Sequence, residues 1–560
     1  MKTAAGRSLF TYGRFLIVIA GLGGLLYGID VGIIASSLIY LGKTISLTVA
    51  QTSIVVAAVL GGGTVSSLAG GFMADWIGRK KMMIGSGLLF VASVAIIVGS
   101  HGFAMLLTGR LLQGVSGGVI AVVVPLYLAE CLSAKTRGQG SAIFQFLLTV
   151  GIVVAAFAGH YYTTHAEAAI TAAAGNATLI RAAQNHAWRG MFLSVIYPGL
   201  VFFAGAFFLS ESPRWLFRRG RKAEALIALR RSSSEDEAQL QMREMEELAA
   251  EAARPRGQGA PMDSLLRRKY VIPFLLACII LACTQATGIN SILSYLVVIL
   301  LQAGMTAVHA TQANFAIVVL NCIMTIVAVA LIDRRGRKFL LTLGTGGIII
   351  ALVAAALFFH SFESKRIDVK AQVQAAVQGN TLTVPVEALH VADGNTGTHV
   401  LTVLYTYGSG SHVASVLSND KDPVARISPQ DGKPLVIERA SYGPVPPETI
   451  GWIITGCIAL FIASFAAGPG VVVWLTLSEL MPTRIRSAGM GIALLLNQGV
   501  STLIAGAFLP IVGRYGYATM FLFWAGCTVI YFVTAAFFLP ETKGRTLEEI
   551  ERHFESAETA

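Results

Sequence analysis

Apolar residues in this chain fill whole stretches rather than one stripe of a helix or alternate positions of a strand. Twelve such stretches recur, at roughly 14–34, 53–74, 82–100, 104–128, 139–160, 188–209, 271–301, 313–332, 339–360, 449–478, 487–512 and 517–539. Each is about 20 residues or longer, enough to cross a bilayer as a helix. Lipid offers no partner to a free backbone N–H or C=O, so each stretch must be helical. The pattern predicts an all-α membrane protein of twelve transmembrane helices. The first stretch has the length of a signal peptide, but Asp30 interrupts its far end and eleven more follow, so it is read as a span.

Two charges lie where the pattern leaves no place for them. Asp30 falls inside the run Phe15–Leu41, and Arg110 inside Gly102–Leu128, each run otherwise uncharged. A charge at that depth costs roughly 2.5 to 3.5 kcal/mol by insertion scales. One acid and one base buried alone point to a pair that handles a proton. A static structural ion pair is the alternative.

Composition agrees with the pattern. Of 560 residues, 54% are hydrophobic and 13% charged, and the mean hydropathy is +0.67, a balance no soluble domain of this length needs. Basic residues set the orientation. Arg79, Lys80 and Lys81, then Lys135 and Arg137, then Arg334, Arg335, Arg337 and Lys338, then Arg484 and Arg486 all fall in loops on one side. That side, with both termini, is expected to be cytoplasmic, in a cell membrane and most simply a bacterial inner membrane. The net charge of +11 then reflects topology and attraction to anionic lipid rather than nucleic-acid binding. The six cysteines show neither a disulfide framework nor metal-ligand spacing. No nucleophile–base set or phosphate loop emerges, so neither enzymatic activity nor a cofactor is expected.

The chain repeats itself. Gly71…Asp75…Gly78-Arg79-Lys80 follows the second stretch, and Asp333…Gly336-Arg337-Lys338 the eighth. Glu130 precedes Arg137 by seven residues, and Glu479 precedes Arg486 by seven. Glu211-Ser-Pro-Arg214 follows the sixth stretch and Pro540-Glu541-Thr-Lys543 the twelfth. This gives a six-helix half over 1–210 and a linker over 211–270 that either holds short amphipathic helices or is flexible. A second half follows over 271–360 and 449–540, then a tail over 541–560. Parallel repeats of this kind frame a central cavity. The segment 361–448 differs in composition. Thr381–Val386 and Thr398–Tyr407 alternate like strands, Leu435–Ile437 adds a third, and Asp393-Gly-Asn and Asp431-Gly supply turns. A small β-rich cap is expected there, with Pro385 on an edge strand; a disordered loop is the alternative. The Ala-rich stretch 160–187 reads as a second extended loop able to hold a short helix.

Together these motifs resemble the sugar porter family of the major facilitator superfamily, over nearly the whole chain except 160–187 and 361–448. The markers are Gly28-Ile-Asp30, Gly109-Arg110…Gln113-Gly114, Pro125-Leu-Tyr127…Glu130, Glu211-Ser-Pro-Arg214-Trp215-Leu216, Gln285…Gly288-Ile-Asn290, Gly468-Pro-Gly470…Trp474…Glu479 and Pro540-Glu-Thr-Lys-Gly544. The resemblance implies that Gln145, Gln285, Asn290, Asn321, Trp474 and Asn497 bind sugar hydroxyls and the sugar ring. In membrane helices such amides also serve as glue between helices. It implies too that Asp30 carries the proton and Arg110 pairs with it, since proton-coupled members have an acid here where passive facilitators commonly have a neutral residue. Burial and Arg110 then oppose each other over the charge of Asp30. Asp75, Arg79, Glu130, Arg137, Arg214, Asp333, Arg337, Glu479 and Arg486 are read as a charged gate on the cytoplasmic side. Its ion pairs bridge helix ends, extend between the halves when that side is shut, and break in another state.

The chain departs from the family at Ile29, Thr284, Ser294 and Gln498, where Tyr, Gln, Tyr and Trp are usual. The pocket edge should be smaller and more polar, so glucose or xylose specificity is not carried over. The leading function is uptake of a monosaccharide with a proton by a monomeric carrier. Passive uniport and a transporter-like sugar sensor are the alternatives.

Overall fold

A computed structural model describes residues 4–132, 137–252, 268–389, 398–407, 410–419, 423–428, 434–481 and 485–543, with Glu549 and Phe554. Among these residues, twelve helices are long and apolar enough to cross a membrane. Spans 1 to 6 are Tyr12–Thr44, Val49–Ile77, Arg79–Val98, Phe103–Cys131, Ile143–Ala172 and Ala177–Phe207. Spans 7 to 12 are Tyr270–Gln302, Ala307–Ile332, Arg337–Glu363, Glu448–Trp474, Gly489–Tyr515 and Tyr517–Phe538. An even number of crossings puts the start of span 1 and the end of span 12 on one side, called the termini face below; the other is the far face.

Each half is knit by close helix packing. Span 1 packs on span 5 and span 2 on span 4, while span 9 packs on spans 10 and 12. Glycine makes the first contact possible. A Cβ on Gly28 would lie 1.9 Å from the Leu148 carbonyl oxygen, and one on Gly151 would lie 2.2 Å from that of Leu25. Small residues at such crossings let backbones approach and gain dispersion contacts that lipid cannot replace.

The halves meet through spans 2 and 11, 5 and 8, and 1 and 7. On the far side Tyr295 donates to the Ala505 carbonyl at 3.1 Å and lies 3.5 Å from Ser53 Oγ, which also accepts from the Leu509 N–H at 3.3 Å. The Tyr295 ring stacks on Phe508 with centroids 4.5 Å apart. His160 of span 5 bonds Thr311 of span 8 at 3.1 Å. These contacts lie between mid-bilayer and the far face. On spans 2 and 11 toward the termini face, Phe72, Trp76, Ile492 and Leu496 are exposed. The halves are thus closed together on the far side.

The stretch 160–187 is not a loop. Span 5 continues to Ala172 and span 6 begins at Ala177, so only a tight turn separates them. Asn176 caps the second helix by accepting from the N–H groups of Thr178 and Leu179. Alanine's high helix propensity carries both helices through this stretch, an effect that a search for apolar runs does not register. Between the halves run the helices Pro213–Arg218, Lys222–Ser232 and Glu235–Ala252. Arg221–Glu224, Arg230–Glu235 and Lys222–Glu246 ion pairs decorate them.

The segment after span 9 folds as two antiparallel sheets. Strands β1 (Ile367–Asp368), β7 (Val436–Pro444), β4 (His399–Thr406) and β5 (Ser411–Leu417) lie side by side in that order. The second sheet has the order β2 (Val377–Gln378), β3 (Thr381–Pro385), β6 (Val424–Ile427). Leu382, Leu401, Val403, Ile427 and Ile437 form a core separate from that of the spans. Strand β3 alternates buried and exposed as its sequence predicts, but it is the middle strand of its sheet, not an edge. Pro385 is tolerated because it is the last paired residue, opposite Val424. The strand predicted over 435–437 extends to Pro444 as β7. The turns at 393–395 and 431–432 lie outside the described residues.

Candidate functional site

Span 7 is broken. Its helix stops at Ala286 and restarts at Ile289, with Gly288 at φ +86, where a side chain would be strained and would strike Trp524. The freed backbone is satisfied locally: Thr287 N–H bonds the Cys283 carbonyl at 3.1 Å, and Gly288 N–H the Gln285 carbonyl at 3.0 Å. The break turns two amides toward each other. Asn290 Nδ2 donates to Gln285 Oε1 at 2.9 Å and to Ser501 Oγ at 2.8 Å. Gln285 Nε2 donates to Asn497 Oδ1 at 3.2 Å, and Asn497 Nδ2 to the Leu281 carbonyl at 2.8 Å. Gln285, Asn290 and Asn497 therefore form one amide cluster, with Ser501 added by a spacing of four residues from Asn497. Such a cluster offers donors and acceptors that a polyol can exchange for its own hydroxyls.

The other candidates stand apart. Gln145 and Trp474 are exposed and Asn321 is half-buried. Among the described residues, none of their side chains is hydrogen-bonded to the amide cluster. Thr284, at the family's extra amide position, is buried and donates to the Tyr531 hydroxyl at 3.0 Å. It belongs to helix packing.

Asp30 and Arg110 come together as the sequence predicts. Both are buried, with Arg110 Nη1 3.7 Å from Asp30 Oδ1. That distance is too long for a hydrogen bond, and neither carboxylate oxygen has a hydrogen-bond partner. Arg110 instead donates to Gln113 Oε1 at 2.8 Å and lies over the Phe192 ring at 5.7 Å. A buried carboxylate held only by a loose ion pair is a poor structural strut, since burial costs each ion several kcal/mol.

Sequence reasoning missed Tyr27. It lies one turn before Asp30, and both side chains lie against Gly117, where a Cβ would sit 3.3 Å from Asp30 Oδ2 and 3.3 Å from Tyr27 Cδ2. Tyr27 lies beside Gln498, the neighbour of Asn497. The acid of the first half thus approaches, through Tyr27, the amide-bearing helix of the second. Two signals were present: the three-residue spacing from Asp30, and the unusual polar residue at 498.

At the termini face the gate candidates fall into two sets. Arg79 is buried and bidentate to Glu130, at 2.8 and 2.9 Å, and meets Asp75 at 2.7 Å. Ser212 Oγ donates to Glu130 at 2.5 Å. In the second half Arg337 Nη2 meets Glu479 at 3.1 Å and Thr542 donates to Glu479 at 2.6 Å. Glu211 and Glu541 add matched caps. Glu211 accepts the N–H groups of Arg79 and Lys80 that open span 3, and Glu541 those of Arg337 and Lys338 that open span 9. A carboxylate at a helix N-terminus satisfies orphan donors and complements the dipole. All these pairs stay within one half, so no bridge between halves is made by them in this far-closed arrangement. Arg214 is exposed and forms no ion pair with a described residue. The side chains of Arg137, Asp333 and Arg486 lie outside the described residues.

Residues 16–378 and 438–554 match the family model described as sugar (and other) transporter. The chain is 28% identical to the glucose transporter GlcP of Staphylococcus epidermidis over 542 residues, covering 96% of each. It is 26% identical to the galactose-proton symporter of Escherichia coli, covering 98% of this chain and 96% of that one. Among solved structures, the E. coli xylose transporter in a partially occluded inward-open conformation superposes with a TM-score of 0.66 at 19% identity, covering 96% of this chain and all of that one.

The two charge clusters differ in burial, and stability should follow. Glu130→Ala strands a buried arginine and should cost about 3–5 kcal/mol. Glu479→Ala breaks a pair that is 13% and 23% exposed and should cost roughly 1 kcal/mol. Thermal unfolding of both variants in detergent checks this, and equal losses would contradict the asymmetry.

Proposed function

Because the chain belongs to the sugar porter family of the major facilitator superfamily, we propose that it imports a monosaccharide together with a proton by alternating access. The termini face is then cytoplasmic. Sugar binds between the halves at Gln285, Asn290, Asn497 and Ser501, with Gln145, Asn321 and Trp474 closing on it from the remaining walls. The proton binds Asp30.

The observation that supports proton coupling most directly is the state of Asp30: wholly buried, without a hydrogen bond, and 3.7 Å from Arg110, its one ionic partner among the described residues. Two forms of that carboxyl are accessible, one ionised against Arg110 and one neutral. Protonation from the far side frees Arg110, which retains Gln113 and the Phe192 face. Sugar and proton are coupled when both favour the same conformation. Tyr27 offers a physical link, since a sugar that displaces Gln498 or Asn497 acts on the side chain packed beside Asp30.

Two variants separate the roles. Asp30→Asn should abolish accumulation of labelled sugar in energised vesicles while leaving counterflow exchange measurable. Accumulation at the native level in that variant would refute the coupling role. Asn290→Ala should weaken sugar binding by about 1–3 kcal/mol, since a sugar hydroxyl loses a buried partner. Titration calorimetry against galactose, glucose, xylose and inositol measures this, and an unchanged dissociation constant for the bound sugar would place the site elsewhere.

A further inference from the structure

The β-rich domain after span 9 touches both halves of the transporter, and it does so at two particular helix tips. Its chain leaves span 9 at Glu363 and returns to span 10 at Glu448, so it is covalently part of the second half. Strand β1 pairs with β7, which brings exit and entry together. Arg439 on β7 then fixes the domain further, donating to the carbonyls of Gly513 at 3.2 Å and Arg514 at 2.8 Å. Those carbonyls end span 11, where a cation also complements the helix dipole.

The contact with the first half is of another kind. Gly410 has φ +146 and lies directly on Thr48, the N-cap of span 2; a Cβ at 410 would sit 3.2 Å from Thr48 Cβ. Two residues on, the His412 ring lies beside the Leu47 backbone and stacks on Tyr405 with centroids 5.6 Å apart. The domain therefore joins the far tip of span 2 to the far tip of span 11. Just below, the same two helices make the far-side closure, through Ser53 with Leu509 and Ala57 against Gly506. The family model omits 379–437, so this fastening is additional to the shared transport machinery.

We propose that the domain is a latch on the far gate, with Arg439 as the positioning residue that seats it on the second half and Gly410 and His412 as the catch that engages the first. The proposal rests on the alternating-access reading. When the far side opens, the tips of spans 2 and 11 separate. The domain travels with spans 9 to 11, and the contacts at Leu47 and Thr48 break. The latch thus favours the far-closed state and makes far-side opening the step it regulates.

The catch can be locked. Thr48→Cys combined with Gly410→Cys, in a chain whose six native cysteines are serine, places two Cβ atoms close to disulfide distance; because φ +146 strains a side chain at 410, thermal unfolding of the reduced variant first establishes that it folds as the parent does. Oxidation should form the cross-link and stop sugar uptake, and reduction should restore it. A cross-linked protein that transports at the reduced rate would overturn the latch, as would failure of the cross-link to form in folded protein. If the reduced protein itself moves no sugar, the transport reading fails instead. A second measurement needs no substrate. Spin labels at His101, between spans 3 and 4, and at Gln302, the far end of span 7, report the opening of the two halves by electron–electron distance. His412→Ala, which removes the ring from beside Leu47, should raise the far-open population severalfold. Arg439→Ala should raise it too, and distance distributions identical to the parent in both variants would overturn the proposal.

Discussion

A bilayer interior supplies no hydrogen-bond partner, and most of this structure follows from that constraint. Twelve helices satisfy their own backbones and leave side chains to pack. Where a helix is interrupted, the chain must provide partners locally. Span 7 does so at Thr287 and Gly288 through the carbonyls of Cys283 and Gln285, and span 10 at Gly468 through that of Ser464. The interruption in span 7 is the place where amides gather. Breaks tolerated only beside a cavity are how such bundles build polar sites at mid-depth.

Asp30 stands out against the same constraint. Other buried charges in the described structure are well provided for: Arg79 has Glu130, Asp75 and the Ala74 carbonyl. Asp30 has only a loosely placed arginine. A structural pair under selection for stability would be expected to close that gap, because unpaired buried polar atoms are costly. The contrast between Arg79 and Asp30 in one protein argues that the two pairs serve different ends. One braces helix ends at the termini face. The other, on the proposed function, is kept poised between charged and neutral forms, with Tyr27 beside it.

The fold was legible because it is written in long apolar runs, a signal that needs no tertiary information. The buried acid and base were legible for the same reason, since each violates its run. What escaped reading depended on contacts between distant segments. Glu211 and Glu541 look like loop carboxylates until the fold sets them over the starts of spans 3 and 9. The stretch 160–187 looked like a loop because alanine is only mildly apolar, yet its helix propensity carries spans 5 and 6 through it. Pro385 looked like an edge residue, but its place at the end of a strand matters more than its place in the sheet. Amide residues were identified by type, but among the described residues only Gln285, Asn290 and Asn497 of these share hydrogen bonds. Gln145 and Trp474, from other walls, remain exposed.

The central claim is that sugar and proton move together, and it is tested most directly by watching the proton. Purified protein is reconstituted into vesicles enclosing a pH-sensitive dye, with no pre-set gradient, and sugar is added outside. The account predicts that sugar entry acidifies the interior, with an initial proton flux proportional to sugar flux measured in parallel. Sugar entry at a measurable rate with no change of internal pH would contradict it and make the protein a uniporter.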